Sequence, residues 1–445
     1  MRVTRMNYRY IAARMRGCHA LICLAICAGT ASGQTADPRT LDGQYEFYLA
    51  HHLERCQNMG FQRDDFGILV PGQAGPLLAA YCSGPPPVGG GSAPPNASGG
   101  GAGAALGRGN GAVEDAALRR RRDGIRDNDK DDASPNADAA ADMDLGQAGN
   151  ASAFLSFDYE RDRQHRTHFE AGRRSDLFGA TLGADYRFGA TGVAGIAIRY
   201  GELSGDFDGG GDFATRSRGA SLYGSWFPRP GLFVDVTAGV DLKSLATTRI
   251  VSLRKEFSGA PGNPPNVFFD PPPSPVDSDT DARESSAEIR AGYDFFAGTV
   301  TFGPRASLAT RRTQVDAFVE RGNTPMALAF DSQTQDSLRG ALGVQGSRAF
   351  NVANGVIVSQ LNLDWIHEFE DDQRVITAHF AEDLRDDPSQ LRFLNESPDR
   401  DVLVARLSAV AVFAHGVSAF GSIQNLFGHD YLDRYGASVG VRVDF

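Results

Sequence analysis

The last eleven residues of the chain read Tyr435-Gly-Ala-Ser-Val-Gly-Val-Arg-Val-Asp-Phe445. Tyr435, Ala437, Val439, Val441, Val443 and Phe445 form one row, and Gly436, Ser438, Gly440, Arg442 and Asp444 form the other. A period of two puts each row on its own face of a β-strand. Taken alone, the pattern fits either the half-buried edge strand of a soluble sheet or the closing strand of an outer-membrane barrel. The second reading requires similar segments upstream.

Those segments are present. Twelve stretches of about ten residues or more alternate apolar with polar: roughly 152–161, 175–188, 192–204, 214–227, 231–246, 283–297, 299–313, 335–350, 355–369, 401–414, 416–428 and 433–445. In 401–414, Leu403, Ala405, Leu407, Ala409, Ala411 and Phe413 form one row, and Arg406 and Ser408 interrupt the other. In 299–313, Val300, Phe302, Pro304, Ala306 and Leu308 oppose Thr301, Gly303, Arg305, Ser307 and Arg311. Rows of small and apolar residues suit lipid, and rows with Arg, Asp, Ser and Gly suit a wet lumen, where arginines such as Arg305 and Arg442 would line water.

The connections alternate as well. Gly189–Gly192, Pro228–Gly231, Ala297-Gly298, Asn351–Gly355 and His415-Gly416 are tight turns, while longer loops are expected near 204–213, 247–282, 314–334 and 370–400. Loop 247–282 holds seven prolines between Pro261 and Pro275, which argues against regular structure there. Short connections on one side and long ones on the other match an outer-membrane barrel. The expected fold is therefore all-β: a twelve-stranded antiparallel transmembrane barrel over 151–445, with both ends on the periplasmic side.

Upstream of 151 the composition changes. Arg2, Arg5, Arg9, Arg14 and Arg16 precede an apolar run, Ala20–Gly29, and then Ala31-Ser-Gly33, which reads as a secretory signal over 1–33. Its removal would leave the chain more acidic than its net charge of −11. Nothing in that balance, and no basic stripe with aromatics, suggests nucleic-acid binding. Residues 34–83 read as a small helical module: Tyr45, Tyr48, Leu49, His52, Leu53 and Cys56 share a helical face, and a second short apolar patch precedes Cys82. Cys56 and Cys82 are the two cysteines beyond the signal, and a disulfide between them would contribute about 3 kcal/mol.

Residues 84–150 read as a Gly/Pro-rich and then acidic linker. Within it, Glu114–Arg122 is a helix candidate able to occupy the pore. The Gly-rich run lacks the Lys-Ser/Thr of a phosphate loop. Asp127, Asp129 and Asp131 have the alternate spacing of calcium-loop carboxylates, but the loop glycine and closing glutamate are missing, so a solvated acidic spacer is the plainer reading. No cofactor motif is present.

Three motifs carry a family resemblance. Leu177-Phe-Gly-Ala-Thr-Leu-Gly-Ala-Asp-Tyr-Arg-Phe188 leads to the Asp/Gly-rich stretch Gly205–Asp212. Ser221-Leu-Tyr-Gly-Ser-Trp226 is followed by Leu232-Phe-Val-Asp235, and Leu363-Asp-Trp-Ile-His-Glu-Phe369 carries Trp365, His367, Glu368 and Phe369. In this order, with the aromatic-ended terminal strand, they resemble autotransporters of type V secretion over roughly 150–445. The resemblance implies an outer-membrane translocator of a Gram-negative bacterium, embedded as a monomer in the lipid bilayer. It also implies that the outer-membrane assembly machinery reads Val439, Val441, Val443 and Phe445 as an insertion signal.

The chain departs from the family upstream, where only about 117 residues separate signal and barrel, without the repeats of a long passenger. Display or export of the short N-terminal region is the function expected. The alternatives are an adhesin working through its outer loops, or an outer-membrane hydrolase using the cluster His367, Glu368, Asp371, Asp372, His379, Asp386 and Asp387. The chain has neither a Gly-x-Ser-x-Gly elbow nor a His-Glu-x-x-His motif, and a non-enzymatic role is expected.

Overall fold

The computed structural model describes residues 61–63, 69–71, 87–89, 150–189, 191–251, 254–257, 267–269, 273–353, 355–384, 386–388, 390–413 and 417–444. Twelve long strands dominate it. In chain order they are β1 Ala151–Gln164, β2 Arg173–Phe188, β3 Gly192–Phe207, β4 Gly211–Arg229, β5 Leu232–Val251 and β6 Ser274–Tyr293. They continue as β7 Val300–Val315, β8 Gln333–Val352, β9 Gly355–Glu368, β10 Asp401–Phe413, β11 Val417–Phe427 and β12 Leu432–Asp444. Each pairs antiparallel with its chain neighbours. β12 returns to pair with β1, from Leu432↔Gln164 to Asp444↔Ser152. The sheet is therefore a closed twelve-stranded barrel, which leaves these strands no open edge to template aggregation.

The barrel is inside out relative to a soluble one. On β12, Val439 is 61% exposed on the outer face and Ser438 is 5% exposed on the inner face. The rows read from β7 and β10 behave the same way: Phe302, Leu308, Leu403 and Leu407 point outward, and Thr301, Arg305, Arg311 and Arg406 are buried inward. Outward aromatics form two girdles. Tyr186, Phe188, Trp226 and Phe350 lie toward the short-turn rim, and Phe178, Tyr200, Trp365 and Phe427 lie toward the long-loop rim. An apolar band between aromatic girdles is the signature of a lipid-facing wall. β5, β6 and β8 each run 20 residues, about twice what a tilted strand needs to cross a bilayer. Beyond the band their outer faces turn polar, as in the Ser244–Asp281 and Thr248–Asp277 hydrogen bonds of 2.8 and 2.9 Å.

Two glycines show how the wall is built. Gly298 turns β6 into β7 at φ +63°, a conformation that costs a residue with a Cβ. Inside the barrel, the Phe420 ring of β11 lies against Gly440 of β12, where a Cβ would sit 2.3 Å from the ring and 2.6 Å from the Leu155 carbonyl oxygen.

Several expectations need correction. The stretch 204–213 is a tight hairpin, because β3 runs to Phe207 and β4 starts at Gly211. Loop 247–282 is largely regular at both ends: β5 extends to Val251 and β6 begins at Ser274, with the short strands Arg254–Phe257 and Val267–Phe269 pairing between them. Pro275 is tolerated in β6 because the pairing of β6 with β7 starts only at Ala282, which leaves this stretch at a sheet edge.

Loops 314–334 and 370–400 are not loosely solvated. They supply a second, four-stranded antiparallel sheet of Phe318–Val319, Leu328–Phe330, Val375–Phe380 and Leu391–Leu394. Its apolar side chains form a dry core with Val251 and Val276, in which Leu328, Ile376, Phe380 and Phe393 are fully buried. We refer to this sheet as the outer cap.

Within the expected helical module, the described residues form a ribbon, Phe61–Arg63 paired with Leu69–Pro71. Within the expected linker, Pro87–Gly89 pairs as a strand with Arg254–Phe257, whose backbone offers an open edge. The signal, the helical face from Tyr45 to Cys56, the apolar patch before Cys82, Cys82 itself, Glu114–Arg122, Asp127, Asp129, Asp131 and Phe445 lie outside the described residues.

Candidate functional site

The inner rows of the strands bring charged side chains to one surface, the lumen wall, where they meet in pairs. Lys243 Nζ on β5 donates to Glu284 on β6 at 2.7 Å, and Thr313 Oγ1 on β7 donates to the same carboxylate at 3.0 Å. Arg199 on β3 reaches Asp241 on β5 at 2.6 Å. Arg305 on β7 makes a two-pronged contact with Asp364 on β9 at 2.8 and 2.5 Å, and a further bond of 2.7 Å to Asn362. Arg434 on β12 binds Asp162 at 2.8 and 2.6 Å and Glu160 at 3.1 Å, both on β1, and so clamps the closing seam. Burying charge is tolerated only where partners replace water, and these pairs span neighbouring or next-neighbouring strands. Inside the wall, a cavity of about 200 Å³ is lined by Arg290, Asp364, Ile366, Arg406, Gln424 and Arg434. The result is a hydrophilic inner surface whose charges are largely satisfied by one another.

A second polar anchor lies at the long-loop rim. Arg249, at the end of β5, donates to Glu320 at 2.9 and 2.5 Å and to the Met326 carbonyl oxygen at 3.2 Å. Glu320 also accepts the Leu328 backbone N–H at 2.9 Å. Arg249 and Glu320 are both essentially buried, so this ion pair ties the outer cap to the barrel.

The sequence-predicted residues fall on different surfaces. Val439 and Val441 face outward on β12. Arg305 lies in the lumen as expected, and Arg442 pairs with Asp444 on the same strand. Trp365, His367 and Phe369 lie on the outer face, with His367 edge-on to Phe369 at 4.8 Å between ring centroids and 2.9 Å from Asp401. Glu368 points the other way, accepting from Ser337 Oγ at 2.7 Å and the Leu338 N–H at 2.8 Å. The strand's pleat thus separates His367 from Glu368, which cannot act as an acid/base pair. His379 lies on the outer cap, and Asp386 and Asp387 are exposed in the following loop. Asp371 is bonded instead to Arg400, which holds its carboxyl below the ordinary range. Among the described residues, no three His, Cys, Asp or Glu side chains are grouped to hold a metal ion.

Sequence reasoning missed the lumen pairs and the Arg249–Glu320 anchor. The available signal was the parity of charged residues within strands: Asp241, Lys243 and Arg249 all share the inner row of β5.

With this geometry in hand, comparison with known proteins is direct. The family model described as autotransporter beta-domain matches residues 153–424. The solved translocator domain of the autotransporter NalP from Neisseria meningitidis aligns with a TM-score of 0.50 at 13% identity, over 75% of this chain and 98% of that one. The beta domain of the Bordetella autotransporter BrkA aligns with a TM-score of 0.46 at 14% identity, over 66% and 100%. A protein of Pseudomonas putida, described as an uncharacterized protein in the trpE–trpG intergenic region, is 32% identical over 105 residues. That match covers 23% of this chain and 17% of the relative, so the chain aligns with about a sixth of the relative's length.

Proposed function

This chain belongs to the autotransporter β-domain family of Gram-negative outer-membrane barrels, and from that premise we propose that its barrel carries the short N-terminal region to the cell surface and holds it there. The observation that carries this reading is topological. β1 begins at Ala151 beside Tyr186, on the short-turn rim, and β12 ends on that same rim. Pro87–Gly89 pairs with Arg254–Phe257, which follows the far end of β5 at the long-loop rim. In this reading the chain between Gly89 and Ala151 joins the opposite rims by way of the lumen. A wall of mutually paired charges supports that route, since it offers an extended chain a wet surface with few unbalanced charges to hold it.

Insertion is assigned to the outward row of β12 with Phe445, read by the outer-membrane assembly machinery, and the barrel acts as a monomer. The N-terminal region keeps its assigned parts: a cleaved signal over 1–33, a module closed by a Cys56–Cys82 disulfide, and a linker. The barrel itself is read as non-catalytic. Surface interaction through the outer loops is a second reading, favoured by the outer cap, whose packed core gives those loops a fixed shape.

An epitope tag placed near Asn96, combined with protease treatment of whole cells, tests the proposal. Display predicts a tag removed from intact cells. A tag protected until the outer membrane is opened would place the region in the periplasm and overturn the reading.

A further inference from the structure

At the long-loop rim, the β1–β2 connection, the start of β8, the segment after β9 and the strap before β10 enclose a second cavity of about 210 Å³. Five carboxylates line it: Glu170, Asp336, Glu370, Asp372 and Glu396. Arg374 is the cation in its lining. The rim is built rather than loose. Glu170 is 6% exposed, takes the Glu396 N–H at 3.2 Å on one oxygen and binds Gln164 with the other. Thr167 Oγ1 caps the Glu170 N–H at 3.0 Å.

Asn395 is the residue this construction leaves unexplained. Its backbone N–H donates to the Arg374 carbonyl oxygen at 3.0 Å, which fixes the strap. Its side chain lines the cavity and the residue is only 2% exposed, yet neither amide atom has a hydrogen-bond partner. A buried amide left in that state is unfavourable, since both of its polar atoms have lost water without gaining a partner. Asp336 is paired with Arg312 at 3.7 Å, and the other four carboxylates against one guanidinium leave the cavity with a net negative charge.

We propose that this rim cavity binds a small organic polycation carrying ammonium or guanidinium groups. Such a ligand's N–H groups satisfy the Asn395 carbonyl oxygen, and its charges balance the surrounding carboxylates. No three of these side chains converge as a metal ion would need. The negative charge is spread around the cavity, which favours a cation whose charges are spaced along a chain over a single divalent ion. The same chemistry has two sources: a free polyamine outside the cell, or the Arg119–Arg122 run of this chain. Binding itself does not require display of the N-terminal region; only the placement of the site on the outer side rests on that reading.

Calorimetric titration of the full-length protein, folded in detergent micelles, with spermidine provides the test, alongside the same chain with Arg119–Arg122 replaced by Gln. Saturable binding to the wild type supports a free polyamine as occupant. Binding only to the Gln-substituted chain supports the chain's own arginines. In whichever chain binds, Glu370→Gln with Asp372→Asn should weaken spermidine at least tenfold and Asn395→Leu should weaken it as well, while heat-modifiable migration shows that the barrel remains folded. Failure of both chains to bind would overturn the proposal. Undiminished binding by the double variant, or displacement of spermidine by an equal concentration of calcium, would overturn it too.

Discussion

β12 and the outer-cap strand Val375–Phe380 are both alternating strands of one chain, and they use the alternation in opposite senses. In β12 the apolar row, with Val439 and Val441, faces outward and the polar row faces a wet lumen. In the cap strand the apolar row of Ile376, Ala378 and Phe380 is fully buried in a dry core. A period of two fixes which residues share a face, but not whether lipid or protein will cover that face. For β12 the answer comes from closure with β1. For the cap strand it comes from the Arg249–Glu320 anchor, which holds the sheet against the long-loop ends of β5 and β6.

Substitutions that affect one region and spare the other sharpen this contrast. The largest effect is expected from Glu320→Ala. Removing one partner leaves Arg249 buried without its carboxylate, a loss of roughly 3–5 kcal/mol for a buried pair. The cap should become sensitive to protease between β7 and β8 while the barrel keeps its heat-modifiable migration; simultaneous loss of both would make cap and wall one cooperative unit. Next comes Val439→Lys, a charge on the lipid-facing row, which should cost about 2–4 kcal/mol of barrel stability near the bilayer midplane. Urea unfolding of the barrel in vesicles measures it, and a change below 1 kcal/mol would argue that Val439 does not face lipid. Ile376→Val removes one methylene from the cap core and should cost about 0.5–1.5 kcal/mol there, visible as faster amide exchange in the cap strands with no change in β12.

The smallest effect concerns pH. Arg400 depresses the Asp371 carboxyl, so the contribution of this exposed pair is present above the ordinary aspartate range and is lost only as pH falls through the lowered value. Pepsin cleavage of the 370–374 segment should therefore set in at lower pH in the wild type than in Arg400→Gln. Identical onsets would remove the pair from consideration.

The contrast also explains what could be read from the sequence. All twelve barrel strands were legible because alternation is readable within many of them, as in Val300–Leu308, and turns separate the segments. The ends of β5 and β6 were not, since prolines near Pro275 obscured a strand that tolerates them only at an edge. The outer cap was illegible for a different reason. Phe318–Val319 and Leu328–Phe330 are two and three residues long, too short to carry a period; they pair with each other, and Leu328–Phe330 pairs in turn with Val375–Phe380, more than forty residues away. The lumen pairs were half visible: alternation placed Arg305 on the inner row but not Asp364 opposite it.

The central claim is that the N-terminal region reaches the rim opposite the one where β1 begins. Cysteines introduced at Pro87 and Lys255, residues aligned in the strand pairing, test it in whole cells with Cys56 and Cys82 replaced by serine. A cross-link that forms in intact cells under mild oxidation is the expected result. If position 255 reacts with a membrane-impermeant thiol reagent but never cross-links to position 87, the N-terminal region does not reach the outer rim and the barrel does not display it.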